Sequence, residues 1–119
     1  MRLKYGFWLY TFNGYIIKNM ETTEKIEAPR VSDILREEFM IPLGISAYKL
    51  AKAIDVPVSR IQDILHDRRK ITPETSIRLG RYFGLSDRYF LNLQIDIDIR
   101  KTESEIKDSL DKIQPLVIA

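Results

Sequence analysis

The sequence predicts an all-α fold, a bundle of five short helices preceded by an N-terminal arm that is extended or disordered. Three observations carry that prediction. Apolar residues recur at helical spacing from Val31 onward. Capping residues, prolines and glycines fall where such helices would begin and end. Two of the helices are so short, and so close together, that only a tight turn can join them.

In chain order, the first helix starts at Val31, with Ser32 as its cap and Asp33 at its positive end; Ile34, Leu35 and Phe39 mark its buried side. Pro42 and Gly44 stop it. Ser46 caps a second helix with Ala47, Leu50, Ala51 and Ile54 inward. Asp55 tolerates the left-handed backbone of a sharp exit, and Pro57 suits a first helical turn. The third helix turns Val58, Ile61, Ile64 and Leu65 toward the core. Thr72 and Pro73 open a fourth that runs through Phe83, and Gly84 ends it. Ser86 caps a fifth, in which Leu91, Ile95, Ile99, Ile106, Leu110 and Ile113 keep helical spacing. "IDIDI" (Ile95–Ile99) alternates as a strand would, but the longer period outweighs it. The domain plan is an arm and linker over 1–30, a helical domain over 31–95 and a helical extension over 96–119.

The arm differs in kind. Tyr5, Phe7, Trp8, Tyr10, Phe12 and Tyr15 crowd its first half, and Asn13-Gly14 is a strong hairpin-turn pair. It lacks the unbroken apolar stretch and small-residue cleavage site of a signal peptide. Two readings stay open: an extended strand that pairs with the sheet edge of a partner, or an upstream segment before a true start at Met20.

With 119 residues, 45 % hydrophobic and 30 % charged, the chain suits one globular domain. Nothing approaches the roughly 18 consecutive apolar residues that span a bilayer, so no membrane role is expected. The chain has no cysteine, which removes disulfides and thiolate chemistry and fits a reducing, cytoplasmic setting. Net charge is only +2, yet residues 46–82 hold eight Lys/Arg against four Asp/Glu. A basic patch on a near-neutral chain suggests a polyanionic partner.

That patch coincides with the two short central helices. About eight residues, a tight turn and a second short helix make a helix-turn-helix, with small Ala51 where the helices cross. Burying one face of the third helix leaves Val58, Ser59, Arg60, Gln62, Asp63 and His66 outside; Val58 falls in both sets. Arg60 suits the O6/N7 edge of guanine and Gln62 suits adenine, with Ser59 beside them. Asp63 joins this base-reading set, or orients Arg60 or Arg69. Arg68, Arg69 and Lys70 follow at once, placed to grip phosphates, and His66 lies in the same loop. The competing reading is an ordinary solvated helix face. One histidine, five glycines without a phosphate loop, and solvated acidic pairs at Glu37-Glu38 and Asp96/Asp98 leave little basis for an enzyme, a metal site or a cofactor.

Four stretches resemble the HigA-type (VapI-like) antitoxins of the XRE/Cro-like helix-turn-helix proteins. They are "ILREEFMIPLGIS" (34–46), "YKLAKAIDVPVSRIQDIL" (48–65), "RRKITPETSIRLGRYFGLS" (68–86) and "YFLNLQ" (89–94). The resemblance implies a five-helix, lambda-repressor-like domain that dimerises on palindromic operator DNA. It also implies a HigB toxin resembling the RelE ribonucleases, neutralised while the shared operon is repressed. By position, Ser59, Arg60 and Gln62 match the base-facing helix, and Ser46 and Lys49 the helix that crosses the DNA backbone. The sequence departs from the pattern at Asp55 and Asp67, where glycine is usual or frequent, at Phe90 for tryptophan and at Gly80 for alanine. A stand-alone regulator without a toxin, and an interaction module without DNA affinity, are the alternatives. In "YFLNLQ" the bland reading has Phe90 and Leu93 in the core and Asn92 and Gln94 bonding backbone, and the competing one has the stretch contact the toxin.

Overall fold

A computed structural model describes the backbone of residues 9–12 and 15–18, and residues 29–118 in full. Strands β1 (Leu9–Phe12) and β2 (Tyr15–Lys18) pair antiparallel, with Leu9 opposite Lys18 and Phe12 opposite Tyr15. The expected turn at Asn13 and Gly14, and a start at Met20, lie outside the described residues.

Helix α1 (Val31–Ile34) runs on as a wider-wound π-helical segment, Leu35–Met40, closed by an Ile41 N–H bond to the Arg36 carbonyl at 2.8 Å. Its cap corrects the expectation. Arg30 holds the cap position, and its N–H donates to Asp33 Oδ2 at 3.0 Å. Ser32 is inside the helix and buried, where its hydroxyl donates to Asp67 Oδ1 at 2.7 Å. A carboxylate in the first turn serves the orphan donor, so the serine is free for a tertiary bond.

Helix α2 (Ala47–Ile54) has the predicted cap, with Ser46 Oγ accepting from the Lys49 N–H at 3.1 Å. It exits through Asp55 in left-handed backbone, φ 58° and ψ 55°. The Val56 N–H then reaches back to the Ala51 carbonyl at 3.0 Å. Pro57 is the cap residue of α3 (Val58–Leu65), not part of its first turn; its extended ψ of 143° starts the helix one residue later. Val58 is 40 % exposed and belongs to the outer face alone.

Helix α4 (Pro73–Phe83) starts as expected, with Thr72 Oγ1 accepting from the Thr75 N–H at 3.3 Å, and ends at Gly84 with φ 71°. Gly80 is a packing residue: a methyl group there would collide with the Ser86 carbonyl. Ser86 does not cap α5 directly. Its Oγ takes the Arg88 N–H at 3.1 Å, one turn ahead of the helix, which begins at Tyr89.

Helix α5 (Tyr89–Glu105) confirms the helical reading of "IDIDI". Its apolar periodicity misplaces the buried face, however. The core takes Phe90, Leu93 and Gln94, whereas Ile95, Ile99, Ile106 and Ile113 are exposed. Ile95 and Ile99 stand on the side of the helix away from Phe90 and Leu93, whereas Ile97, on the side of Phe90 and Leu93, is half-buried. Ile106 interrupts the helix, a single turn α6 (Lys107–Leu110) follows, and Ile113 lies beyond it.

Leu35, Leu50, Ala51, Ile61, Ile64, Ile71, Leu79 and Phe90 form one core cluster at the meeting of α1 to α5. Phe90 is at its centre, with ring centroids 5.1 Å from Phe39 and Tyr89 and 6.0 Å from Phe83. Gln94 is buried beside it and bonds the Ile71 backbone twice, so the core reading of this stretch holds for Phe90, Leu93 and Gln94. The Asn92 side chain makes none of the hydrogen bonds found among the described residues.

Candidate nucleic-acid interface

Helix α3 is held by its apolar side and by its end. Ile61 and Ile64 are buried, anchoring it on the core. At its C-terminus, where carbonyls lack helical partners, Arg36 Nη2 donates to the Leu65 carbonyl at 2.5 Å. His66 Nδ1 lies 2.8 Å from the Gln62 carbonyl, so the ring folds back on its own helix while remaining exposed.

The opposite side is open. Ser59 and Gln62 are exposed on adjacent turns, free to meet an external acceptor or donor. Asp63 is half-buried and accepts from Arg68 Nε at 3.0 Å, so it orients Arg68 instead of Arg60 or Arg69. Arg60 departs furthest from expectation. Its side chain is only 25 % exposed and leans toward α4, with Nη1 3.8 Å from Glu74 Oε2. Its Nε is fully buried and has no hydrogen-bond partner among the described residues.

The cationic loop is brought together as the spacing suggested, although two of its charges are already matched. Arg68 pairs with Asp63, and Lys70 Nζ lies 2.8 Å from Asp98 Oδ2 of α5. Arg69 is exposed and takes part in none of the ion pairs found among the described residues. At the start of α2, Lys49 is exposed next to Ser46, whose oxygen is occupied as the helix cap. The loop is fixed from below by Asp67, which takes φ 59° and accepts from Ser32 Oγ while Arg30 Nη1 lies 2.9 Å from its other oxygen.

Sequence reasoning missed Glu74. It lies 3.2 Å from Arg78 Nε, and Arg78 Nη1 donates to the Ile54 carbonyl at the end of α2 at 2.9 Å. The i,i+4 spacing of Glu74 and Arg78 was a legible signal for their pair, but not for the reach to Arg60.

Among the described residues no helix is long and apolar enough to cross a membrane. What the arrangement offers is a polar helix edge flanked by cations, suited to hydrogen-bonding bases and neutralising phosphates.

Residues 35–90 match the helix-turn-helix family HTH_3. The chain is 44 % identical over 94 residues to Virulence-associated protein I of Dichelobacter nodosus, covering 77 % of this chain and 86 % of that one. It is 32 % identical over 87 residues to an uncharacterised HTH-type transcriptional regulator of Haemophilus influenzae, covering 71 % and 81 %. Among solved structures it resembles Pseudomonas aeruginosa antitoxin HigA with the higBA promoter. That match has a TM-score of 0.68 at 32 % identity, over 76 % of this chain and all of the other.

Proposed function

The chain belongs to the helix-turn-helix family that holds Virulence-associated protein I and the HigA antitoxins, and from that premise we propose that it is an operator-binding antitoxin. This is a family of DNA-binding antitoxins and regulators, not of enzymes. In the proposed role a homodimer represses its own operon in the cytoplasm. The same protein neutralises a HigB-type, RelE-like mRNA-cleaving toxin. The observation that carries the reading is the open edge of α3, where Ser59 and Gln62 face outward while Ile61 and Ile64 are buried behind them.

Roles follow from chemistry. Ser59, Gln62 and Arg60 address base edges, with Asp63 setting Arg68 beside them. Ser46, Lys49, His66, Arg68, Arg69 and Lys70 face the phosphates. One such domain covers only about 600–1,000 Å² of DNA contact, so tight binding calls for two half-sites about 34 Å apart.

The test is a titration of a duplex from the chain's own promoter over a range of salt concentrations. A complex that weakens steeply with salt is expected. Arg69→Ala should weaken all sequences alike and flatten the log–log salt slope by about one unit. A parent chain that melts cooperatively yet forms no salt-sensitive complex would leave the interaction module standing instead.

A second reading, a stand-alone regulator, is favoured by the similarity to the Haemophilus influenzae regulator. Co-expression with the product of a small basic reading frame directly upstream separates the two. Co-purification supports the antitoxin, and a partnerless operator complex supports the regulator.

A further inference from the structure

Arg60 is the least satisfied polar side chain of the interface. A guanidinium carries five donors in a fixed fork, and one of Arg60's, the Nε–H, is buried without an acceptor among the described residues. Its nearest carboxylate oxygen, Glu74 Oε2, stands 3.8 Å from Nη1, which is an ion pair too long to be a hydrogen bond. Glu74 itself is well placed without Arg60. Its other oxygen accepts from Arg78 Nε at 3.2 Å, and Arg78 is tied to the end of α2 through the Ile54 carbonyl. Glu74 is also 60 % exposed, so the pair is open to solvent on the carboxylate side and closed on the arginine side.

We propose that Glu74 is a specificity-setting residue: it parks Arg60 off the reading edge of α3 in the free protein, and operator DNA takes the guanidinium over. This rests on the operator reading above. A clamp built to hold α3 against α4 would join the two side chains by hydrogen bonds and satisfy the buried donor. The observed pair does neither. A buried donor without a partner is unfavourable, and the O6/N7 edge of a guanine accepts two guanidinium N–H groups in parallel. Arg60 therefore has little to lose by leaving Glu74 and a full bidentate contact to gain. Glu74 decides how readily it leaves, so discrimination at one base position depends on a carboxylate that never touches that base.

The test uses the full chain and its promoter duplex, with binding followed by fluorescence anisotropy and folding by thermal melts. Glu74→Gln keeps an acceptor for Arg78 and removes the charge; it should tighten operator binding about two- to five-fold, the range of an exposed ion pair. Glu74→Asp keeps the charge but withdraws it by one methylene, and it should tighten binding as well. Neither gain should survive in the Arg60→Ala background. Equal tightening with and without Arg60, or tightening by Gln but not Asp, would mean simple relief of carboxylate–phosphate repulsion and would overturn the proposal. Unchanged or weaker binding by both variants would overturn it too, in favour of a structural clamp. A scan of single base-pair changes completes the test: Arg60→Ala should flatten the preference at one position. If it lowers the salt slope and leaves every base preference intact, the acceptor is a phosphate and the base-edge assignment fails. A parent chain without a salt-sensitive operator complex overturns the preceding section and this proposal together. A binding parent whose Glu74 variants do not tighten overturns this proposal alone.

Discussion

Asp55 and Asp67 carry the same backbone twist, φ 58° and 59°, at the exits of α2 and α3. At Asp55 the exit is closed by the Val56 N–H on the Ala51 carbonyl and by Arg78 on the Ile54 carbonyl, and the aspartate's own carboxylate makes none of the hydrogen bonds found among the described residues. At Asp67 the side chain joins in, taking the Ser32 hydroxyl at 2.7 Å and the Arg30 guanidinium at 2.9 Å. The first aspartate shapes a turn. The second also fastens the start of the domain to the loop that presents Arg68, Arg69 and Lys70. Equal backbone geometry at two glycine-like positions thus hides unequal roles, and what the carboxylate reaches decides between them.

Asp67→Ala should break the comparison most visibly. It loses both anchoring contacts and places a β-carbon with no compensating bonds in left-handed backbone, so we expect a loss of about 2 kcal/mol in urea unfolding. Asp67→Gly relaxes the backbone and loses only the anchor, for a smaller loss of about 1 kcal/mol. A glycine variant as stable as the parent would reduce Asp67 to the status of Asp55. At Asp55 itself, glycine should be neutral or stabilising by about 0.5 kcal/mol, since relief of left-handed strain slightly outweighs added chain entropy.

The exit from α4 sharpens the comparison with the smallest effect. There Gly84 takes the twist, and a carboxylate acts three residues later: Asp87 accepts from Arg81 Nε and Nη2 at 2.9 and 3.2 Å. Those hydrogen bonds hold the Asp87 carboxyl below its ordinary range. A depressed folded-state value contributes stability above the ordinary aspartate value, and that contribution disappears as pH falls through the folded-state value. Asp87→Asn should therefore slightly narrow the gap in melting temperature between neutral pH and about pH 3.

Much of this was legible from residue order. Ser46, Thr72, Pro73 and Gly84 act as read, because caps and exits depend on local chemistry. Ser32 failed because the helix is already under way at Val31, so the N–H groups it would cap bond backbone carbonyls, and a partner 35 residues away claimed the hydroxyl. Arg60 was placed outside by its polarity. On a helical wheel, however, it stands only about 40° from Ile64, at the border of the buried face, and a long side chain there folds toward whatever charge lies next door. Glu74, the charge in question, was invisible as a neighbour of Arg60 until α4 was placed. In α5 the apolar period was real but did not predict burial: Leu91, Ile95 and Ile99 share one face and Phe90, Leu93 and Ile97 another, and only the packed bundle says which of the two it covers.

One contact bears on how this domain can vary. The Gln94 amide gives its oxygen to the Ile71 N–H at 2.7 Å and its nitrogen to the Ile71 carbonyl at 2.9 Å, deep inside the bundle. It thus stands in for a neighbouring strand that is not there, at the point where the chain leaves the cationic loop and turns into α4. A carboxamide offers donor and acceptor side by side on one flat, uncharged group. Glutamate would set an oxygen against the carbonyl, and leucine would strand both halves of a peptide group away from water. Drift at this position is therefore costly because the two ends of the amide differ, one accepting and one donating, independently of what the outer face of α3 is asked to recognise.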